Sequence, residues 1–213
     1  MRPPAWLDEV GPRFARVAAR VVVFRPVLWR FFRGPLRFQF DRLARGWDSR
    51  RDSLWLAPLV AALERLDGEP AEALDIGTGT GAAARLLGDR HLECEVVGVD
   101  LSPDMIDEAR RLLPPRLSGR VRFEVADASA LPYGDATFDL VVLLNMIPFF
   151  EELARVTAPG GTLVVAHSLG PDTPFWTPAE TLRARLAARG FGGFEEFAAG
   201  DGTALLARKG DGG

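Results

Sequence analysis

The residues best suited to chemistry fall in one stretch, Asp75-Ile76-Gly77-Thr78-Gly79-Thr80-Gly81. A glycine-rich turn between a strand and a helix lets the backbone approach a ligand closely, because glycine readily adopts the positive φ angles such a turn needs. Read through Ala82, the spacing also satisfies the dinucleotide pattern G-x-G-x-x-G/A. Asp100 lies 19 residues after Gly81, where a carboxylate takes both hydroxyls of a ribose in either kind of site. Turn and carboxylate together make an adenosine site. Asp75 separates the ligands: a carboxylate two residues before Gly77 would face a pyrophosphate unfavourably, but it suits a cationic sulfonium ligand that carries an ammonium group.

Other chemistry is sparse. His167, just past the fifth apolar run, is the best-placed candidate base, since its ordinary pKa lies near neutrality; the alternatives are that it orients an acceptor or caps a strand. His91 sits in a loop and reads as solvated surface. No His/Cys/Asp cluster has metal-ligand spacing, and there is no Gly-x-Ser-x-Gly elbow or Walker pattern, so no metal is expected. The single cysteine, Cys94, excludes an intramolecular disulfide framework and fits a reducing, cytoplasmic compartment.

The elements that must position these residues alternate. Ala73–Ile76, Glu95–Asp100, Arg122–Ala126, Asp139–Leu144 and Thr162–Ala166 are short apolar runs separated by helix-like sequence, the pattern of βαβ units and a parallel sheet. Helices are expected over Ala82–Leu87, after a Ser102 N-cap with Pro103 at the first helical position, and over Glu151–Val156, ended by Pro159-Gly160-Gly161. A further helix runs from Ser53 to about Leu66. Thr177-Pro178-Ala179-Glu180 has the capping-box pattern and starts a helix that Gly190 ends. Gly200-Asp201-Gly202 then joins Phe191–Ala198 to Thr203–Arg208 as an antiparallel hairpin.

In this order, Asp75-x-Gly77-x-Gly79-x-Gly81, Val99-Asp100-x-Ser102-x-x-Met105, Asp127-Ala128-x-x-Leu131-Pro132, Phe138-Asp139-x-Val141 and Pro159-Gly160-Gly161 resemble the class I S-adenosylmethionine-dependent methyltransferases that act on small molecules. The resemblance covers about residues 40–209. It implies a Rossmann-like three-layer α/β sandwich whose mostly parallel seven-stranded sheet has the order 3-2-1-4-5-7-6, with the last strand antiparallel and an N-terminal helical lid. It also implies S-adenosyl-L-methionine as cofactor. Asp75, Gly77 and Gly79 would surround its methionine end, with Thr78 and Gly81 completing the turn. Asp100 would bind the ribose, Leu101 and Met105 would flank the adenine, and Asp127 would take the adenine amino group. Ala128 would supply a backbone donor, and Asn145 would lie beside the methionine portion. Phe40 and Trp47 match an aromatic segment that folds over the cofactor.

Between the fourth and fifth strands the chain departs from that family. Only Met146-Ile147-Pro148-Phe149-Phe150 stands where relatives often insert a longer loop rich in histidine. A short apolar loop points to an uncharged or aromatic acceptor near Phe149 and Phe150, methylated at O, N or C by direct displacement. Three other readings remain open: a membrane-associated methyltransferase of a prenylated quinone or lipid, a non-catalytic binder of the cofactor, and a nicotinamide-binding module.

The chain has 213 residues, 47% hydrophobic and 26% charged, enough for one core. Its net charge of −3 hides an asymmetry, for residues 1–52 hold 12 Arg against 5 acids, leaving 14 basic and 24 acidic residues in 53–213. An acidic body is a poor surface for nucleic acid. Residues 1–52, interrupted by Pro26, Gly34 and Pro35, are expected to form two or three short helices as an arm on a body at 53–213. Arg13, Arg16 and Arg20, and again Arg30, Arg33 and Arg37, share helical faces with aromatic neighbours. Residues 13–38 are thus a candidate either for a solvated lid face or for peripheral membrane contact.

Overall fold

The computed structural model describes residues 5–48 and 54–211. Seven strands form one sheet: β1 (Glu72–Ile76), β2 (Glu95–Asp100), β3 (Val121–Val125), β4 (Phe138–Leu144), β5 (Thr157–His167), β6 (Phe191–Ala199) and β7 (Gly202–Lys209). Their order is β3-β2-β1-β4-β5-β7-β6. β1 to β5 pair in parallel, while β7 runs antiparallel to both β5 and β6. The expected fold class is the one observed.

Strand residues divide by alternation between two apolar layers. Leu74, Ile76, Val97, Val99, Val141 and Leu143 face one core, which α1 (Ala5–Phe24), α2 (Trp29–Leu43), α6 (Phe150–Val156) and α7 (Ala179–Ala187) complete. Ala73, Val96, Leu140, Val142 and Val164 face the other, closed by α3 (Ala57–Leu63), α4 (Ala82–Arg90) and α5 (Pro103–Leu112). Burial on both faces explains why these strands read as unbroken apolar runs. The arm is therefore packed into the core on one side of the sheet.

The arm differs from its expectation. Its two helices, of 20 and 15 residues, are longer than expected, and Pro35 rides inside α2. An internal proline disfavours a helix by roughly 3 kcal/mol, but Trp29 and Leu36, on either side of the break, are both buried against the sheet. Tertiary packing holds the helix where local propensity would end it. The helix expected from Ser53 to Leu66 is shorter, and Ser53 itself lies outside the described residues. α6 stops at Val156, so Pro159-Gly160-Gly161 instead forms an irregularity inside β5, where Phe138 pairs with Thr157 and Leu140 with Thr162. The capping box does not form. Thr177 donates its backbone N–H to Nε2 of His167 (3.4 Å), and α7 begins one residue later, with Pro178 at the N-cap and no side-chain cap.

Among the described residues no helix is long and apolar enough to cross a membrane.

Candidate active site

A cavity opens at the carboxyl ends of β1, β2 and β4, where the strand order reverses about β1, the usual ligand position in an open α/β sheet. It is a partly open cleft with about 1050 Å³ of free space when its solvent-filled mouth is included.

The floor is the glycine turn. The N–H groups of Gly77 and Thr78 both donate to the Val99 carbonyl (2.9 Å each), which pins the turn across the end of β2. Gly77 has φ +73°, which favours glycine, and a Cβ there would sit 2.8 Å from the Met146 sulfur and displace that side chain. Gly81, at φ +84°, is the N-cap of α4, and a Cβ there would meet the Phe123 ring at 2.5 Å.

Asp100 completes the floor. Its two oxygens each accept one backbone N–H, from Gly79 and Ser102 (2.9 Å each), and it lines the cavity. Removal from bulk water pushes its pKa up to about 6; the bonds from Ser102, Gly79 and Leu101 oppose this, and Asp41 adds to it. Ser102 caps α5 by accepting from the Met105 N–H (3.1 Å) and donates its hydroxyl to Asp41 of α2 (2.5 Å).

Of the residues singled out from sequence, Gly77, Gly79, Asp100, Leu101, Met105, Ala128, Asn145, Phe40 and Trp47 lie on the wall. Asn145 adopts φ +57°, and its side chain is locked to Ser168 by two bonds, donating to Oγ (2.9 Å) and accepting from the backbone N–H (2.8 Å). Phe40 and Trp47 meet edge to face at 5.9 Å.

Seven candidates do not line the cavity. Asp75 is buried behind the turn, where one carboxylate oxygen accepts from Thr78 Oγ1 (2.6 Å) and the Ala84 N–H (3.0 Å). It joins the turn to the first turn of α4 and stands behind the cavity wall, not on it. Thr78 is its buried partner, and Gly81 is a packing glycine.

Asp127 is engaged elsewhere. Oδ1 accepts from Trp29 Nε1 (2.8 Å), Ser129 N–H (2.9 Å) and Ser129 Oγ (2.7 Å), and Oδ2 faces Arg33 at 3.4 Å. Burial acts to raise its pKa, but these donors outweigh it and hold the carboxyl below its usual range.

Phe149 and Phe150 line a second cleft, with Trp29 between the two cavities. Phe149 packs edge to face on Trp29 at 5.3 Å. The segment after β4 reaches the first cavity instead through Met146 and Ile147.

His167 is buried and off the wall. Its Nε2 lone pair already faces the Thr177 N–H, and burial drives its pKa down to about 4 against a weaker hydrogen bond to the Phe175 backbone. A neutral ring with its basic nitrogen in use holds the loop that follows β5; it is not placed as a base. His91, expected on the surface, is also buried, with Nδ1 2.5 Å from Glu69.

Sequence reasoning placed Phe40 and Trp47 in the roof and missed the rest. Trp29, Leu36, Trp55, Thr173, Pro174 and Phe175 line the cavity. Trp29, Leu36 and Phe40 stand at i, i+7 and i+11, a stripe legible in the sequence, whereas nothing local marks Trp55 or Phe175.

A sheet of this order, with a glycine floor and an acid at its switch point, has the fold of the class I S-adenosylmethionine-dependent methyltransferases. Within it, residues 73–161 match the family described as a methyltransferase domain. The demethylmenaquinone methyltransferase of Beutenbergia cavernae is 37% identical over 155 residues, covering 67% of this chain and 60% of the relative. The malonyl-[acyl-carrier protein] O-methyltransferase of Halorhodospira halophila is 40% identical over 122 residues, 54% of this chain and 40% of the relative. The chain thus spans about half the length of these relatives. A SAM dependent methyltransferase from Aquifex aeolicus superposes with a TM-score of 0.65 at 20% identity, covering 79% of this chain and 97% of that one.

Proposed function

We propose that the chain transfers the methyl group of S-adenosyl-L-methionine to an apolar, aromatic acceptor of the hydroquinone type. The observation that carries this reading is the composition of the cavity wall. Among the described residues, Asp100 is the only charged one in its lining, and the rest is dominated by Trp29, Phe40, Trp47, Trp55, Met146 and Phe175. The two relatives named above act on very different acceptors, a prenylated quinone precursor and an acidic acyl group carried on a protein. An aromatic wall with no Arg or Lys among the described residues favours the former, because it would strand a carboxylate without a partner.

The residues fit the cofactor. The Gly77–Gly79 turn gives close backbone approach, and Asp100 keeps acceptor capacity on both oxygens after its two backbone bonds. When bound, S-adenosylmethionine supplies an electrophilic methyl carbon, and its carbon–sulfur bond breaks with the electron pair retained by sulfur. What the chain contributes is alignment and exclusion of water, with the floor holding the nucleoside and the aromatic roof covering the acceptor. Among the described residues the lining offers no base other than Asp100, and in this reading the acceptor's proton passes to solvent. This suits a hydroquinone, whose ring or oxygen is already electron-rich.

Calorimetry with S-adenosylmethionine, S-adenosylhomocysteine and NAD tests the cofactor, and tight binding of NAD alone would overturn it. Transfer of labelled methyl to demethylmenaquinol, but not to malonyl-acyl carrier protein, is the expected acceptor result. The reverse preference would sink the acceptor assignment and leave the cofactor standing.

A further inference from the structure

We infer that the outer face of the α1–α2 hairpin docks on an anionic phospholipid bilayer, lying in the interface without crossing it. The inner faces of these helices are spent on the core through Ala15, Ala18, Val22, Trp29 and Leu36. The opposite face of α1 exposes Arg13, Val17, Arg20 and Phe24, at i, i+4, i+7 and i+11, which is one helical stripe. α2 repeats the spacing with Phe31, Pro35, Phe38 and Arg42, again all exposed. Val27 projects at the corner between them. Val17, Phe24, Val27, Phe31 and Phe38 are each 54–66% exposed, and among the described residues no other phenylalanine is exposed.

The charge on this face has one sign. Residues 11–40 contain seven arginines and no aspartate or glutamate, while the body is acidic. Guanidinium groups sit beside the exposed rings: Arg30 lies 4.7 Å from the Phe31 centroid and Arg42 5.7 Å from that of Phe38. Aromatic rings ringed by arginine suit the zone where lipid phosphates meet acyl chains, the rings entering and the cations holding phosphate. Water is a poor environment for three such rings on one face, and a solvated lid would need only its charges.

The placement has a consequence for the proposed reaction, and this step rests on the acceptor assignment above. α2 carries Phe31 and Phe38 outward and Trp29, Leu36 and Phe40 into the cavity. The helix that touches lipid is thus also the roof of the acceptor site, so an acceptor dissolved in the bilayer reaches the cavity past a single helix.

The test is co-sedimentation of the intact chain with vesicles of phosphatidylglycerol and phosphatidylcholine in equal parts, against phosphatidylcholine alone. Partitioning on the anionic vesicles, weakened at least tenfold by 0.5 M salt and by F24S/F31S/F38S, is the expected result. S-adenosylmethionine affinity and the thermal midpoint of that variant should match the parent, since none of the three rings lines the cavity. Failure of the parent to bind anionic vesicles, unchanged binding by the variant, or preferential capture of a duplex oligonucleotide would each overturn the inference. Vesicle binding is read without turnover, so a negative result here leaves the acceptor assignment to its own assay.

Discussion

The floor and the roof of the cavity are built by different means. The floor is made of strand ends whose positions follow from pairing register: Ile76 lies opposite Val99 on one side and Leu143 on the other, and a slip of one residue would turn every apolar side chain to the wrong face. The roof is helix and loop packed on the sheet through Trp29 and Leu36 and tied to the floor by side-chain bonds, namely Trp29 and Arg33 to Asp127, Asp41 to Ser102, and Asp48 to Arg85 (3.0 Å) and Thr80. The acids at the ends of β2 and β3 show the contrast. Asp100 receives backbone donors only and has its pKa pushed up to about 6, so it gains from any ligand hydroxyl. Asp127 is held below its usual range by donors the protein already supplies. The floor is set to receive a ligand, and the roof is set to be held by the floor.

The largest expected effect belongs to the floor. Gly81→Ala places a Cβ 2.5 Å from the Phe123 ring at φ +84°. Left-handed backbone and overpacking together should cost about 2–5 kcal/mol, read as a lowered denaturant midpoint. An unchanged midpoint would mean that the turn is far softer than its register implies. Asp100→Asn should come next, with affinity for S-adenosylmethionine falling about 100-fold, as expected when two bonds to a charged acceptor are weakened. Its thermal midpoint should move less than that of Gly81→Ala, because the raised pKa means that the charge is itself costly in the folded state.

The same contrast governs what the sequence disclosed. Strand positions were legible because burial on both faces leaves unbroken apolar runs, and the glycine turn because its backbone admits few residues. Asp75 and Asp127 sit in recognisable motifs, yet side-chain direction is decided by three-dimensional partners: the first turn of α4 captures one, and Trp29 with Arg33 captures the other. Pro35 misled for a related reason, since a local breaking signal was overridden by burial of Trp29 and Leu36. Phe149 and Phe150 were placed on the right segment, but Met146 and Ile147 are the residues that face the cavity.

Asp100 also gives the floor a pH dependence that the roof should lack. In the unliganded fold its pKa is raised from 3.8 to about 6. The stability it contributes is therefore fully present below 3.8 and lost as pH rises through 6. Ligand affinity runs the other way, because ribose hydroxyls bind the ionised form. Cofactor binding should weaken about tenfold between pH 7 and pH 5, following the ionised fraction, and this loss should vanish in Asp100→Asn. On the roof, Trp29→Phe removes one donor from an acid that keeps three others. A cost of about 1 kcal/mol is expected in thermal unfolding, with little change in the pH dependence of binding. A larger pH effect in Trp29→Phe than in Asp100→Asn would reverse the comparison.

The smallest kinetic effect is expected at His167, the residue that ties the roof loop to the end of β5. Replacing a general base usually lowers turnover by about 10²–10⁴-fold. His167→Gln should change it by less than about threefold and leave the shape of the pH–rate profile intact, because the ring is off the wall and its Nε2 is occupied by the Thr177 N–H. Stability is where the substitution should register. With a folded pKa near 4 against an ordinary 6.5, His167 contributes stability that is present above 6.5 and lost as pH falls toward 4. Asp100 acts in the opposite sense over an overlapping window, so the parent's pH–stability curve blends the two. The difference between parent and His167→Gln isolates the histidine. It should be flat above pH 6.5 and move steadily in the variant's favour below it, and a difference flat across the whole range would show that the ring is not buried in the neutral form.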